Sequence, residues 1–297
     1  MKVLISGATG LIGSALIPAL ESGGHETTRL TRSPGSRGDV GWYPSSGPID
    51  ASRLEGHDAV VHLAGESIGE GRWTPEKKRR ILESRREGTR LLAETIAGLS
   101  EPPKVLVSAS AVGYYGDRGN ELLREDSEPG WDFLAEVCKA WEAAADPARV
   151  AGIRVVHPRN GIVLSTEGGA LARTLPIFKL GGGGRIGSGR QWWSWVAIDD
   201  VAGAYVHALT DDSLDGPVNV GSPNPLTNAE YTRVLGKVLI RPTVFPLPAQ
   251  AARLMLGEVA DALLLASQRV EPAKLKEGGY EFRYPELEGA LRHLTGR

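Results

Sequence analysis

Gly7, Gly10 and Gly13 recur at three-residue spacing between an apolar run, Val3-Leu4-Ile5, and an apolar-rich stretch of helical length that begins at Leu11. Strand, glycine turn and helix together make a seat for phosphate. Gly7 takes the tight turn off the strand, Gly10 lets backbone approach a pyrophosphate, and Gly13 lets the helix close on the sheet. Thr9, Leu11 and Ile12 lie between these glycines, where free N–H groups and the positive end of the helix dipole face an anion. An ordinary tight turn is the bland alternative. The place of the motif at the start of an alternating strand–helix pattern favours a dinucleotide.

The end of the next strand, expected over 26–30, sorts the two nicotinamide dinucleotides. An acidic residue there would hold a ribose 2′-hydroxyl. This chain instead reads Thr31-Arg32-Ser33, with Arg37 close by. A guanidinium flanked by hydroxyls suits a 2′-phosphate, so NADP(H) is favoured over NAD(H). The competing reading is a solvated surface arginine.

Later strand ends supply the remaining candidates. The strand expected over 58–63 ends at Leu63-Ala64-Gly65, where a nucleotide lies close to backbone, and Glu66 follows at the edge where substrates bind. The helix expected over 73–97 has a basic first half, and Lys77 to Arg79 read as a solvated face. Arg85 is set apart by its spacing to Gly88 and Thr89, which turns it toward the cofactor. The strand expected over 104–107 runs into Ser108 and Ser110, then Tyr114 and Tyr115. Ser108 falls on the cofactor side. Ser110 is placed to hold a reacting oxygen, and Tyr114 is the first choice of proton donor, ahead of Tyr115 and Glu66. The strand expected over 153–158 brings Pro158 to the cofactor and Arg159 to the substrate. Tyr115 and Trp192 are further substrate-side candidates, although core packing is the plain explanation of the cluster Trp192, Trp193 and Trp195. Asp199 and Asp200 read as helix-capping residues rather than metal ligands, and no metal site is expected.

These residues need a frame. Parallel strands alternating with helices predict an α/β fold, a Rossmann-type doubly wound parallel sheet with a smaller mixed C-terminal substrate or lid domain. Residues 1–165 form the nucleotide-binding part, which also takes a strand and helix from about 190–222. Residues 166–297 form mainly the lid, with helices expected over 170–179, 201–209, 228–239 and 249–269 and a flexible loop over 181–184.

The chain has 297 residues, enough for one or two domains, and a net charge of −2, which argues against a nucleic-acid or polyanion partner. One cysteine, Cys138, excludes an internal disulfide and suits a reducing compartment. The N-terminal residues read directly as a strand, so no leader is expected. The apolar stretch 249–266 carries Arg253, Glu258 and Asp261, which breaks a transmembrane reading. A cytoplasmic monomer or homodimer is expected, with a dinucleotide and a small molecule as partners and neither nucleic acid nor membrane.

Taken together, the pieces resemble the extended short-chain dehydrogenase/reductase superfamily. They are GATGLIG at the start, HLAGE over 62–66, the Gly88-Thr89-Arg90-Leu91-Leu92 helix, the serine strand end before Tyr115-Gly116, Pro158-Arg159-Asn160-Gly161, and Ile198-Asp199-Asp200-Val201-Ala202. Ala64-Gly65-Glu66-Ser67-Ile68, Arg72-Trp73-Thr74 and Trp141-Glu142-Ala143-Ala144 are similar to one atypical branch, the epimerase family proteins with a C-terminal domain of unknown function. The resemblance implies a bound NADP or NAD. It does not supply the usual mechanism, because the superfamily's Tyr-x-x-x-Lys pair is missing. Lys139 is present, but Ala135 stands four residues before it, and Arg85 stands where extended members usually carry Asn. Two functions follow. One is an NADP(H)-dependent oxidoreductase or epimerase acting on a carbonyl, hydroxyl or nucleotide-sugar substrate with a relocated proton donor. The other is a non-catalytic NADP(H)-binding sensor or assembly protein.

Overall fold

The structure, a computed structural model, describes residues 1–36, 38–44 and 47–297. Arg37 therefore lies outside the described residues. The apolar run near the N-terminus forms β1 (Lys2–Ser6), which sits inside a parallel sheet. The other strands are β2 (Glu26–Thr31), β3 (Val40–Gly41), β4 (Ala59–His62), β5 (Val105–Ser108), β6 (Arg154–Asn160) and β7 (Gly216–Val220). Their order is β3-β2-β1-β4-β5-β6-β7, and Ser110–Ala111 adds a short parallel pairing to β6. Successive strands run outward to one side as far as β3 and then to the other from β4, so the order reverses between β1 and β4. In such sheets the crevice at the carboxyl ends of those two strands receives the ligand.

Side-chain alternation explains the apolar runs in the central strands β1, β4, β5 and β6. Val3, Ile5, Val61, Val107 and Val156 face one side, against Leu16 and Leu20 of α1 (Leu11–Ser22). Leu4, Val60, Leu106 and Val155 face the other, against Leu92 and Ile96 of α2 (Pro75–Ala97). A strand buried on both faces has no polar side to show. Thr74 caps α2 by accepting from Lys77 N, and α3 (Phe133–Ala143) is capped by Asp132. With its first helical residue at Phe133, α3 leaves Trp131 in solvent.

A second core gathers α4 (Gly169–Lys179), Trp193, Trp195, α6 (Asn228–Leu239) and α8 (Leu287–Thr295). Between them in the chain, α5 (Ile198–Thr210) packs on α1. Trp193 and Trp195 are core residues, and the Trp195 indole donates to Asn224 O at 3.0 Å. The capping box Thr227-Asn228-Ala229-Glu230 opens α6 with both reciprocal bonds made.

Four local expectations are corrected. The helix over 249–269 breaks at Gly257, whose φ is +64°, and only α7 (Ala249–Leu256) is a regular helix before the short strand Arg269–Val270. The glycines of 181–184 serve close packing: a Cβ on Gly183 would overlap the Phe178 ring, and one on Gly184 would overlap the Phe245 carbonyl. Asp199 and Asp200 lie inside the first turn of α5, whose N-cap is Ala197. Asp200 instead accepts from Arg283 N (2.7 Å) and Tyr284 N (3.0 Å), tying the C-terminal segment to α5. Lys77 is buried rather than solvated, because residues 77, 81, 85 and 88 share one face of α2.

Candidate nucleotide-binding and reactive site

The turn after β1 is built without side chains. Gly7 holds φ +69°, and Gly10 N–H donates to Gly7 O at 2.9 Å. A Cβ on Gly7 would stand 2.8 Å from Leu63 C, and one on Gly13 would stand 2.5 Å from Gly7 O. The two strand ends that flank the crevice, Gly7 and Leu63-Ala64, therefore meet backbone to backbone. Gly10 is the N-cap of α1, no side chain caps that helix, and its first turn has no acid. Thr9 and Gly10 are exposed, while Leu11 and Ile12 are half-buried. Uncapped N–H groups in a cradle closed to any Cβ fit a pyrophosphate.

The loop after β2 carries the groups assigned to the ribose end. Asp39 accepts from Gly35 N, Ser36 N and Arg29 Nε within 3.0 Å, and those backbone bonds first hold its carboxyl below the usual range. Ser33 N–H donates to Thr31 Oγ1 at 3.2 Å. Arg32 projects into solvent from this braced loop, and among the described residues no carboxylate pairs with it. A free guanidinium on a fixed loop fits a phosphate.

At the far side of the crevice, Ser108 ends β5 fully buried with no partner for its Oγ among the described residues. Arg85 donates through one terminal nitrogen to Glu66 O (2.9 Å) and Ile81 O (3.2 Å), and its guanidinium lies 4.8 Å from the Trp141 ring centre. That guanidinium fills the space beside Gly65, where a Cβ would meet it at 3.1 Å. Glu66 accepts from Lys77 Nζ at 2.7 Å, which lowers its pKa despite partial burial.

Ser110 enters a network that the sequence reading did not foresee. Its hydroxyl donates to Glu142 Oε1 at 2.7 Å. Arg159 grips the same carboxylate with Nε (2.8 Å) and a terminal nitrogen (2.9 Å). The other Arg159 terminal nitrogen donates to Tyr115 OH (3.0 Å) and Glu125 O (3.1 Å), and Tyr115 OH donates to Asn219 Oδ1 at 2.7 Å. Burial pushes the Tyr115 phenol up to about 12. Tyr115 and Arg159 were expected to meet substrate. Both are buried structural members of this network, with their polar atoms taken by the protein. Tyr114 is half-buried, with its ring 3.4 Å from the Arg159 guanidinium carbon. Pro158 is buried within β6, where it pairs with Val218. Trp192 stacks on Arg269 at 4.5 Å, and the Arg269–Val270 strand pairs with Leu122–Leu123, whose Leu123 packs with Tyr115.

The usual tyrosine–lysine pair has no stand-in on α3. Lys139 pairs with Glu136 and lies 5.8 Å over the exposed Trp131 ring. Ala135 is fully buried. Glu142, two turns from Ala135, is the acid that reaches the serine. Sequence reasoning missed Glu142, Asn219 and Lys77. For Lys77 the signal was present in the four-residue spacing back from Arg85 through Ile81. For Asn219, a polar residue between Val218 and Val220 in a buried strand was the available hint. Among the described residues no group of three or more His, Cys, Asp or Glu is arranged to hold a metal ion, and no helix is long and apolar enough to cross a membrane.

The family described as NAD dependent epimerase/dehydratase matches residues 3–221, and a domain of unknown function, DUF1731, matches 247–294. The chain is 41% identical to Epimerase family protein Mb2239 of Mycobacterium bovis over 296 residues, covering 99% of this chain and 98% of the relative. The crystal structure of human epimerase family protein SDR39U1 (isoform 2) with NADPH superposes with a TM-score of 0.92 at 37% identity, over 100% of both chains. A nucleoside-diphosphate sugar epimerase from Corynebacterium glutamicum gives 0.83 at 40% identity, with this whole chain matching 58% of that one.

Proposed function

The chain belongs to the NAD dependent epimerase/dehydratase family, and from that premise we propose that it is an NADP(H)-dependent oxidoreductase or epimerase acting on a hydroxyl or carbonyl carbon. Ser110 holds the reacting oxygen in this reading and Tyr114 is the first choice for the proton-transfer role of the missing tyrosine; the observation that carries it is the Ser110–Glu142 hydrogen bond at the same sheet edge as the uncapped start of α1. The NADPH in the human relative's structure and the free Arg32 beside the ribose end support NADP(H) over NAD(H). Residues 1–165 with about 190–222 serve the cofactor, and the rest of 166–297 closes over the substrate.

Gly7, Gly10 and Gly13, with the amides of Thr9, Leu11 and Ile12, hold the pyrophosphate. Thr31, Arg32 and Ser33 hold the 2′-phosphate. Leu63, Ala64, Gly65, Ser108 and Pro158 line the path to the nicotinamide, with Arg85 bracing Gly65. The dinucleotide, when bound, accepts or donates hydride. Ser110 gives its one hydrogen to Glu142, so its oxygen presents lone pairs and accepts from a substrate hydroxyl. Arg159 fixes the Glu142 carboxylate in a two-pronged grip. Tyr114 stands on the other face of Arg159 as the nearest half-exposed phenol, and Glu66 remains a candidate at the mouth.

A second reading, a cofactor-binding protein without turnover, is favoured by the outward-pointing Lys139 and by a Ser110 hydroxyl already engaged within the protein. One experiment separates the two. NADPH, NADP, NADH and NAD are titrated against tryptophan fluorescence, and alcohols, ketones and nucleoside-diphosphate sugars are then screened for turnover with the preferred form. The enzyme reading expects Ser110→Ala to lower kcat/KM by about a hundredfold with unchanged NADPH affinity. No turnover with any substrate, together with intact NADPH binding, selects the binding protein.

A further inference from the structure

The end of α4 and the turn after α6 carry five large apolar side chains in solvent: Ile177, Leu180, Ile240, Val244 and Phe245. Distant in sequence, they form one surface. Arg241 Nε donates to Lys179 O at 2.7 Å, Phe245 N–H donates to Gly183 O, and Gly181 abuts Pro242. Leu180 is 89% exposed and Ile240 is 76% exposed. Single exposed apolar residues are ordinary, but a contiguous group marks a contact surface.

Two further observations say what kind of contact. Segments 176–190 and 231–248 contain six Lys and Arg and no Asp or Glu, in a chain whose net charge is −2. Among the described residues only Lys237 of these six has a carboxylate in ion-pair range, Glu288. Ile240 is also the single non-glycine residue with positive φ among the described residues, at φ 55° and ψ 50°, closing α6 where glycine is favoured. A β-branched side chain in the left-handed region is strained, and here it gains no burial in return. Strain kept in order to display an apolar group marks a functional position.

We propose that this face is a peripheral membrane contact for anionic lipid. The apolar side chains stand on helix ends and a turn rather than lining a groove, which suits insertion between headgroups. Lys179, Arg185 and Arg241 lie in the same two segments, the mix of apolar and basic groups that interfacial segments on anionic leaflets carry. Beside Val244 a cleft of about 290 Å³ brings together Arg185, Thr232 and Thr243, a cation and two hydroxyls that fit a headgroup phosphate. This contact lies outside the nucleotide site and does not rest on its assignment. It also departs from the expectation of no membrane partner, which took in only spanning segments and overall charge.

The full-length protein is sedimented with vesicles of phosphatidylglycerol and phosphatidylcholine in equal parts, and with phosphatidylcholine alone. The bound fraction is expected to be at least about tenfold higher on the anionic vesicles and to fall with salt. Leu180→Ser with Phe245→Ser, and separately Lys179→Glu with Arg185→Glu, are expected to reduce it to the neutral-vesicle level with NADPH titration unchanged. Ile240→Gly is expected to raise Tm by relieving the strained turn and yet to weaken vesicle binding, a pairing that a purely structural role would not produce. Wild-type binding no better than on neutral vesicles overturns the proposal, as does binding that all three variants retain. A dimer in sedimentation velocity that the Leu180/Phe245 variant dissociates would assign the face to a second copy of the chain instead.

Discussion

Ser110 donates its hydroxyl hydrogen to Glu142 Oε1 at 2.7 Å, across 32 residues of sequence. The serine's hydrogen is committed to an acid gripped by a buried arginine. Removing the acid alone would strand the Arg159 charge. Glu142→Ala is expected to cost about 3–5 kcal/mol in urea unfolding, as for other broken buried pairs. Replacing both partners with apolar residues, Glu142→Leu with Arg159→Met, is expected to recover much of that loss. A double variant as unstable as Glu142→Ala would mean that the stability resides elsewhere in the network.

Arg32 is exposed and without an ion pair among the described residues, so its substitution tests binding without disturbing the core. Arg32→Asp is expected to weaken NADPH relative to NADH by at least about tenfold, through loss of one phosphate contact and gain of a like charge. Fluorescence titration measures the ratio. An unchanged ratio would move the 2′-phosphate to another residue.

Two glycines of one motif are expected to fail differently. Gly13→Ala drives a methyl into Gly7 O and Ala8, and a displaced α1 is expected to cost about 1–3 kcal/mol of stability. At Gly10 the nearest atom to an added Cβ is Gly7 O at 3.2 Å. Gly10→Ala is therefore expected to leave Tm nearly unchanged and to weaken NADPH binding. Equal loss of Tm in both would remove the distinction.

His62 ends β4 fully buried, bonded to Ser6 Oγ at 2.6 Å through Nδ1 and edge-on to Trp42. Burial, with the Arg85 charge adding to it, lowers its pKa from 6.5 to about 3. Between those values the unfolded chain binds a proton on this ring and the folded chain does not. The contribution of His62 to stability is thus complete above pH 6.5 and shrinks as pH falls toward 3, by up to about 1.4 kcal/mol per pH unit. His62→Gln is expected to flatten the acid limb of urea-unfolding stability against pH by that amount. An identical slope in the variant would show that carboxylates alone set the acid limb.

Local pattern alone determined the sheet and the glycine turn that opens α1. The apolar runs of β1, β4, β5 and β6 mark strands buried on both faces, and the spacing of Gly7 and Gly13 specifies a turn that only glycine can make, since backbone approaches backbone at both positions. Both properties are written in consecutive residues. What tertiary structure decided is which polar groups are already satisfied. Ser110, Glu142, Arg159 and Asn219 lie on different elements, so no periodicity in the chain records that they share one network or that Tyr115 and Arg159 are spent inside it. Lys77 and Asp200 read as surface and capping residues because their partners, Glu66 and the backbone of Arg283 and Tyr284, are distant in sequence. The exposed apolar face shows the same limit: each of its segments looks ordinary by itself, and only folding brings the end of α4 against the turn after α6.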